Sequence, residues 1–217
     1  MHFEILAEDQ SGKIVLNILI QKIISNNNTY TIHSYKGIGR LPKGLKPGHD
    51  PQKRILLDQL PKLIRGYGKT FEGYNDYPAV VIVVLDLDDK DLGSFEAELN
   101  LMVDGCNPKP KTYFCFAIEE GEAWFLGDID AIRSAYPNAK NSILRSYVND
   151  SICGTWEKLA DAIYPGGSTS LKNEGWMKVG KTKSEWAEKI TPHFDVNNNN
   201  SPSFCFFRNR LLALSGN

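Results

Sequence analysis

The chain has 217 residues, of which 41% are hydrophobic, 11% aromatic and 24% charged. This is enough to bury the core of one large domain, and it excludes a disordered or fibrous chain. Lys and Arg number 25 against 26 Asp and Glu, a formal net charge of −1, so general attraction to nucleic acid is excluded and such binding has to come from a local basic patch.

The start, MHFEILAED, carries acids where a secretory leader needs basic residues. No apolar run is long enough for a membrane span. The four cysteines, Cys106, Cys115, Cys153 and Cys205, lack the spacing of a zinc site or a disulfide framework. A reduced, cytoplasmic protein with no membrane partner is expected.

In chain order, HFEILAE (2–8) reads as a strand. SGKIVLNILIQKIIS (11–25) reads as a helix, because Lys13, Asn17, Gln21 and Ser25 recur every four residues and leave the other faces apolar. TYTIHSY (29–35) alternates like a second strand. A Gly/Pro-rich basic loop, 36–50, follows, and Pro51 is positioned to open a helix carrying Ile55, Leu56, Leu60, Leu63 and Ile64 at helical spacing. Next come the unbroken apolar strand 79–85, a helix near 94–103 and a strand over 111–118. Helices are expected around 122–136, 155–164, 184–194 and 203–214, with loops at 165–175 and 195–202.

Alternating strands and helices predict an α/β fold, a mostly parallel sheet with helices on both faces. Strand 79–85, apolar throughout, suits a central position buried on both sides. No shift of composition marks a clean boundary. We take 1–136 as the α/β domain and 137–217 as a helical extension packed on it.

Each strand but one delivers acid to the sheet's carboxyl edge, where ligands of such sheets bind. Glu8 and Asp9 follow the first strand, Asp86, Asp88 and Asp89 the third, and Glu119 and Glu120 the fourth. Period-two alternation would send Asp86 and Asp88 to one face. Carboxylates gathered at a partly desolvated edge repel unless protonated or given a cation, and hard oxygen ligands suit Mg²⁺ or Mn²⁺. The plainer alternative is that these are turn and helix-capping residues.

LAEDQSG (6–12) resembles the strand–Glu–turn that opens a Toprim domain, and VVLDLDD (83–89) resembles that fold's Asp-x-Asp motif, with Asp9 standing where the family has Gly. Nucleases of the overcoming-lysogenisation-defect type share this fold. A narrower resemblance, carried by AIEEGEAWFLGD (117–128) and SPSFCFF (201–207), is to a Toprim-like family encoded beside ABC/AAA-type ATPases in defence-type gene clusters. The resemblance implies a Mg²⁺- or Mn²⁺-dependent nuclease acting on nucleic acid with an ATPase partner. It further implies that Glu8, Asp86 and Asp88 are catalytic and bind metal, with Asp89, Glu119 and Glu122 as additional acids at the metal. Two other readings stay open, a non-catalytic Toprim-like binding or signalling module and another Asp-x-Asp enzyme such as a phosphatase or glycosyltransferase.

Lys36, Arg40, Lys43 and Lys46 form the basic patch expected to meet a phosphate backbone, the alternative being a solvated connection. His33 and His49 flank it as candidate proton donors. GWMKVGKT (175–182) spells a phosphate-binding loop, yet no apolar strand precedes it, and bulky Trp176 and Met177 stand where backbone would have to wrap phosphate. Lys178, Lys181 and Lys183 are therefore read as a solvated basic face. Trp124, Trp156, Trp176, Trp186, Phe204, Phe206 and Phe207 are assigned to the core.

Overall fold

A computed structural model of the protein describes residues 1–42, 54–74 and 77–216. Its first half alternates as expected: β1 (His2–Ala7), α1 (Gln10–Ile23), β2 (Thr29–Ser34), α2 (Leu56–Phe71), β3 (Ala79–Asp86), α3 (Leu92–Asp104) and β4 (Thr112–Ala117). The four strands form one all-parallel sheet in the order β2-β1-β3-β4. Pro51 lies outside the described residues, and the second helix opens at Leu56.

Side chains alternate across the sheet, so each central strand feeds two cores. Phe3, Ile5 and Ala7 of β1 join Val80, Ile82 and Val84 of β3 on one face. On the other face Leu6, Val81, Val83 and Leu85 meet Leu56, Leu60 and Ile64 of α2 and Phe95 and Leu99 of α3. The apolar run of β3 thus has the two-sided burial that a central parallel strand demands.

The second half supplies α4 (Glu122–Leu126), α5 (Ile129–Ala135), α6 (Asn141–Arg145), α7 (Thr155–Ile163), α8 (Gly167–Asn173), α9 (Trp176–Ile190), a single 3₁₀ turn at Thr191–His193, and α10 (Pro202–Ser215). Leu144, Leu159, Trp186 and Phe204 from these helices share one core with Phe3 and Ile5 of β1. They form the layer that, with α1, covers one face of the sheet.

Several expectations need correcting. The helix expected over 122–136 is two helices, broken at Gly127 and Asp128. A Cβ at Gly127 would lie 2.3 Å from Asn199 Oδ1 and 2.7 Å from Ser201 N, while Asp128 accepts the amide of Ala131 at 3.0 Å and starts α5. The stretch read as a loop, 165–175, contains α8. That helix buries only Gly167 and Leu171 and takes its first cap from Asp161, which accepts the Ser168 amide at 2.7 Å, so its own sequence has almost no apolar period. Helix α9 starts eight residues earlier than the expected 184. Trp176 is 75% and Phe206 47% exposed, so neither belongs to the core, whereas Trp124, Trp156, Trp186, Phe204 and Phe207 do.

Candidate functional site

The strand order sets the location. From β1 the chain moves to β2 on one side and later to β3 on the other, so the connections diverge between β1 and β3, and the crevice of an open parallel sheet opens at that point beyond the carboxyl ends. β1 ends at Ala7, in register with Val84, and the next residue is Glu8. β3 ends at Asp86. The Asp86 amide donates to Glu8 Oε2 at 3.2 Å. Asp9, between Glu8 and the helix, accepts the Gly12 amide at 2.7 Å and is the N-cap of α1.

Glu8 and Asp86 line a cavity of about 50 Å³, together with Gly12 of α1, Glu122 of α4, and Lys183 and Ala187 of α9. A cavity of this size has room for a few waters or a hydrated ion. Burial pushes the Glu8 carboxyl up to about 7. The Asp86 amide opposes the rise, and the charges of Asp88 and Asp9 add to it. Asp86 is also raised, by burial first and then by Glu8, against the pull of Lys183.

Lys183 does not lie on the solvated face expected for it. Its Nζ lies 3.1 Å from Glu122 Oε2 and 3.7 Å from Glu120 Oε2, with the side chain only 17% exposed. Burial disfavours its charge, but Glu122, Glu120 and Asp86 outweigh that cost and raise its pKa. Glu120 is raised to about 7, by burial most of all, and its Oε2 has no hydrogen-bond donor; Thr182 Oγ1, next to Lys183 in the chain, is likewise buried without a partner. No local pattern could have revealed Lys183, since its partners lie in another helix and in the turn before it.

The other expected acids part company with this pair. Leu87 is buried, and Asp88 takes a left-handed backbone (φ 51°) that turns its carboxylate to Lys90 Nζ at 2.7 Å. Asp88 does not line the cavity, although its charge is felt at Glu8. Asp89 is exposed in the same turn. Glu119 is used elsewhere. Its Oε1 accepts the Gly154 amide at 2.8 Å, and its Oε2 accepts the Cys153 and Thr155 amides at 3.0 and 2.9 Å and the Thr155 hydroxyl, tying down the start of α7. Burial works against its charge, but these donors outweigh it and hold the carboxyl below its ordinary range. Among the described residues, no group of three or more His, Cys, Asp or Glu side chains is arranged to hold a metal ion.

In the basic loop, Lys36 and Arg40 are exposed, and the neighbouring Gly37 amide donates to the Glu8 carbonyl at 3.1 Å, which brings this segment to the rim of the cleft. Lys43, Lys46 and His49 lie outside the described residues. His33 is held on the sheet, its Nε2 3.0 Å from Glu4 Oε2, and does not line the cavity. The phosphate-loop spelling at 175–182 is the start of α9, a continuous helix in which no loop exists to wrap a phosphate. Among the described residues, no helix is long and apolar enough to cross a membrane.

Fold and site together define an α/β domain with paired carboxylates and a buried lysine at the carboxyl edge of a parallel sheet. Over residues 7–212 the chain matches the family described as Domain of unknown function (DUF4276), and it belongs to that family. Searches of curated proteins and of solved structures find no match.

Proposed function

We propose that the protein is a Mg²⁺- or Mn²⁺-dependent phosphodiester hydrolase acting on nucleic acid, working in the cytoplasm with an ABC/AAA-type ATPase as the likeness to Toprim nucleases implies. The observation that carries this reading is the convergence of Glu8 and Asp86, from neighbouring strand ends, on one cavity at the crevice of the sheet. Two carboxylates fit the ion proposed, since Mg²⁺ keeps several waters and is held by one or two carboxylates plus substrate phosphate oxygens rather than by a full protein cage.

Glu8 and Asp86 would hold the ion, which supplies Lewis acidity toward a phosphate oxygen and acidifies a bound water. Glu8, with its carboxyl near neutrality, is suited to take a proton from an attacking water at Oε1 or Oε2. Lys183 brings an ammonium to the same cavity and attracts a phosphate group to it. Asp9 and Glu119 shape the site by fixing the starts of α1 and α7.

The test is hydrolysis of plasmid and of RNA with Mg²⁺ or Mn²⁺, with the ATPase present and absent. Glu8→Gln and Asp86→Asn should each reduce the rate by at least about a hundredfold, the scale for loss of a base or metal ligand. Undiminished hydrolysis by both variants ends the proposal. A second reading, a module that keeps the fold for binding alone, is favoured by Lys183, which already supplies a cation to the acids. Absence of hydrolysis under every one of these conditions would select it.

A further inference from the structure

The direction of α9 exposes a feature that the cleft does not use. Lys183 and Ala187 of α9 face the same cavity as Gly12 and Val15 of α1. At the other end, Lys22 of α1 donates from Nζ to the carbonyls of Pro192 at 2.6 Å and Phe194 at 3.0 Å, just past the end of α9. The two helices therefore run parallel. Lys183 sits level with the start of α1, and the seven residues of α9 before it project beyond the sheet's carboxyl edge by about 10 Å at 1.5 Å per residue.

Trp176 opens this projecting part and is 75% exposed, with Met177 beside it 93% exposed. Positions 176 and 183 are seven residues apart and so share one side of the helix. Gly180 lies between them, and a Cβ there would meet nothing within 4 Å, so the helix surface is uncovered at that position. The Trp176 ring meets that of Trp156 edge-on, 6.3 Å between centroids, and Lys172 Nζ lies 5.3 Å over the Trp156 ring. Trp156 is itself held at this edge, because Glu119 anchors the start of α7. Within the segment 172–183, Lys172 pairs with Glu157 at 2.9 Å and Lys183 with Glu122 at 3.1 Å, Lys178 and Lys181 carry the other positive charges, and the one acid, Glu174, accepts the Tyr164 hydroxyl at 2.7 Å.

We propose that the projecting turns of α9 are a binding wall for single-stranded nucleic acid, with a base stacked on Trp176 and the backbone led past Gly180 toward Lys183. The inference rests on the hydrolase reading of the cleft and names its substrate class. An exposed, rigidly backed indole among lysines suits an unpaired base, which offers a free π-face to the ring and a phosphate to the ammonium groups. A duplex keeps its bases stacked on one another and gives Trp176 nothing to hold.

The experiment is fluorescence anisotropy with a labelled oligo-dT, an oligo-U and a matched duplex, using the full chain in EDTA so that binding is read without cleavage. The single strands should bind more tightly than the duplex. Trp176→Ala should weaken single-strand binding by about tenfold, with Trp176→Phe keeping most of it. Lys181→Ala should make binding less sensitive to salt. Equal binding by wild type and Trp176→Ala, preference for duplex, or no oligonucleotide binding would overturn the proposal. So would a protein partner whose capture is lost in Trp176→Ala with oligonucleotide binding unchanged. If Trp176 governs binding and no hydrolysis occurs, the wall stands and the catalytic reading fails. Hydrolysis that proceeds unaffected by Trp176→Ala, with binding also unaffected, removes the wall alone.

Discussion

The ammonium of Lys183 stands 3.1 Å from Glu122 Oε2, a lysine from α9 neutralising an acid from α4 where both are almost withdrawn from water. Such a pair is costly to break, because the remaining partner is left buried and charged. Lys183→Met should destabilise the protein by about 3–5 kcal/mol in urea unfolding at pH 7. Lys183 has a raised folded pKa, so its contribution is fully present below the unfolded value near 10.4 and is lost only as pH rises through the folded one. The double variant Lys183→Met with Glu122→Gln should recover part of the loss. No recovery would mean that the ion pair is not what the single change breaks.

The acids of the cleft predict the shape of the stability profile. The carboxyls of Glu8 and Glu120 rise from ordinary values to about 7, so between the two values the folded state binds more protons than the unfolded chain. Stability without divalent ion should therefore fall as pH rises from about 4.5 through 7. Glu8→Gln should flatten this decline, since only Glu120 and Asp86 then remain raised. A wild-type melting temperature that climbs across that window contradicts the burial assigned to these groups.

Divalent ion should reverse that loss. At a concentration one hundred times its Kd, Mg²⁺ or Mn²⁺ binding only the folded site stabilises by about 2.7 kcal/mol. Asp86→Asn should lose most of the shift and should be at least as stable as wild type in EDTA, having one repelling charge fewer. Thermal melts of both proteins read the two effects together. Equal shifts in wild type and variant would remove Asp86 from the ion site.

Glu119 should behave differently. Glu119→Ala strips the acceptor from three amides and a hydroxyl at the start of α7 and should cost about 2 kcal/mol, the upper range for a cap. The melting shift produced by divalent ion should stay as in wild type. An ion shift lost in this variant would show that the acid reaches the cleft in solution.

The spelling at 175–182 should have no consequence for nucleotide. Within a continuous helix the amides are spent on the helix ladder, so calorimetry should find no ATP binding to wild type or to Lys181→Ala. Micromolar binding that disappears in the variant would require α9 to unwind at its start.

Much of this fold was legible because its signals are local. The apolar run of β3 fixed a central strand, the four-residue recurrence of polar side chains gave α1, and the acids after β1, β3 and β4 pointed to the carboxyl edge. Glu8 and Asp86 were readable for the same reason. Asp88 was less readable: Leu87 keeps the alternation, buried on the same face as Val83 and Leu85, but the next residue takes a left-handed conformation in a turn, where its carboxylate meets Lys90. Lys183 was hidden among exposed lysines of its own helix, its role set by acids far away in the chain. Helix α8 escaped because a single leucine and a cap from Asp161 hold it, neither of which makes a period.

The site's dependence on α9 has a consequence in time. Glu8 and Asp86 belong to the first half of the chain, and the sheet that carries them is complete at Ala117. The wall and the cation that complete their cavity come from α9. During synthesis on a ribosome, the acids would be made well before the lysine that offsets them. A nascent chain or proteolytic fragment ending before Trp176 would present the carboxylates without their counter-charge and with one side of the cleft missing. Order of translation thus keeps the pocket unfinished until most of the polypeptide has emerged.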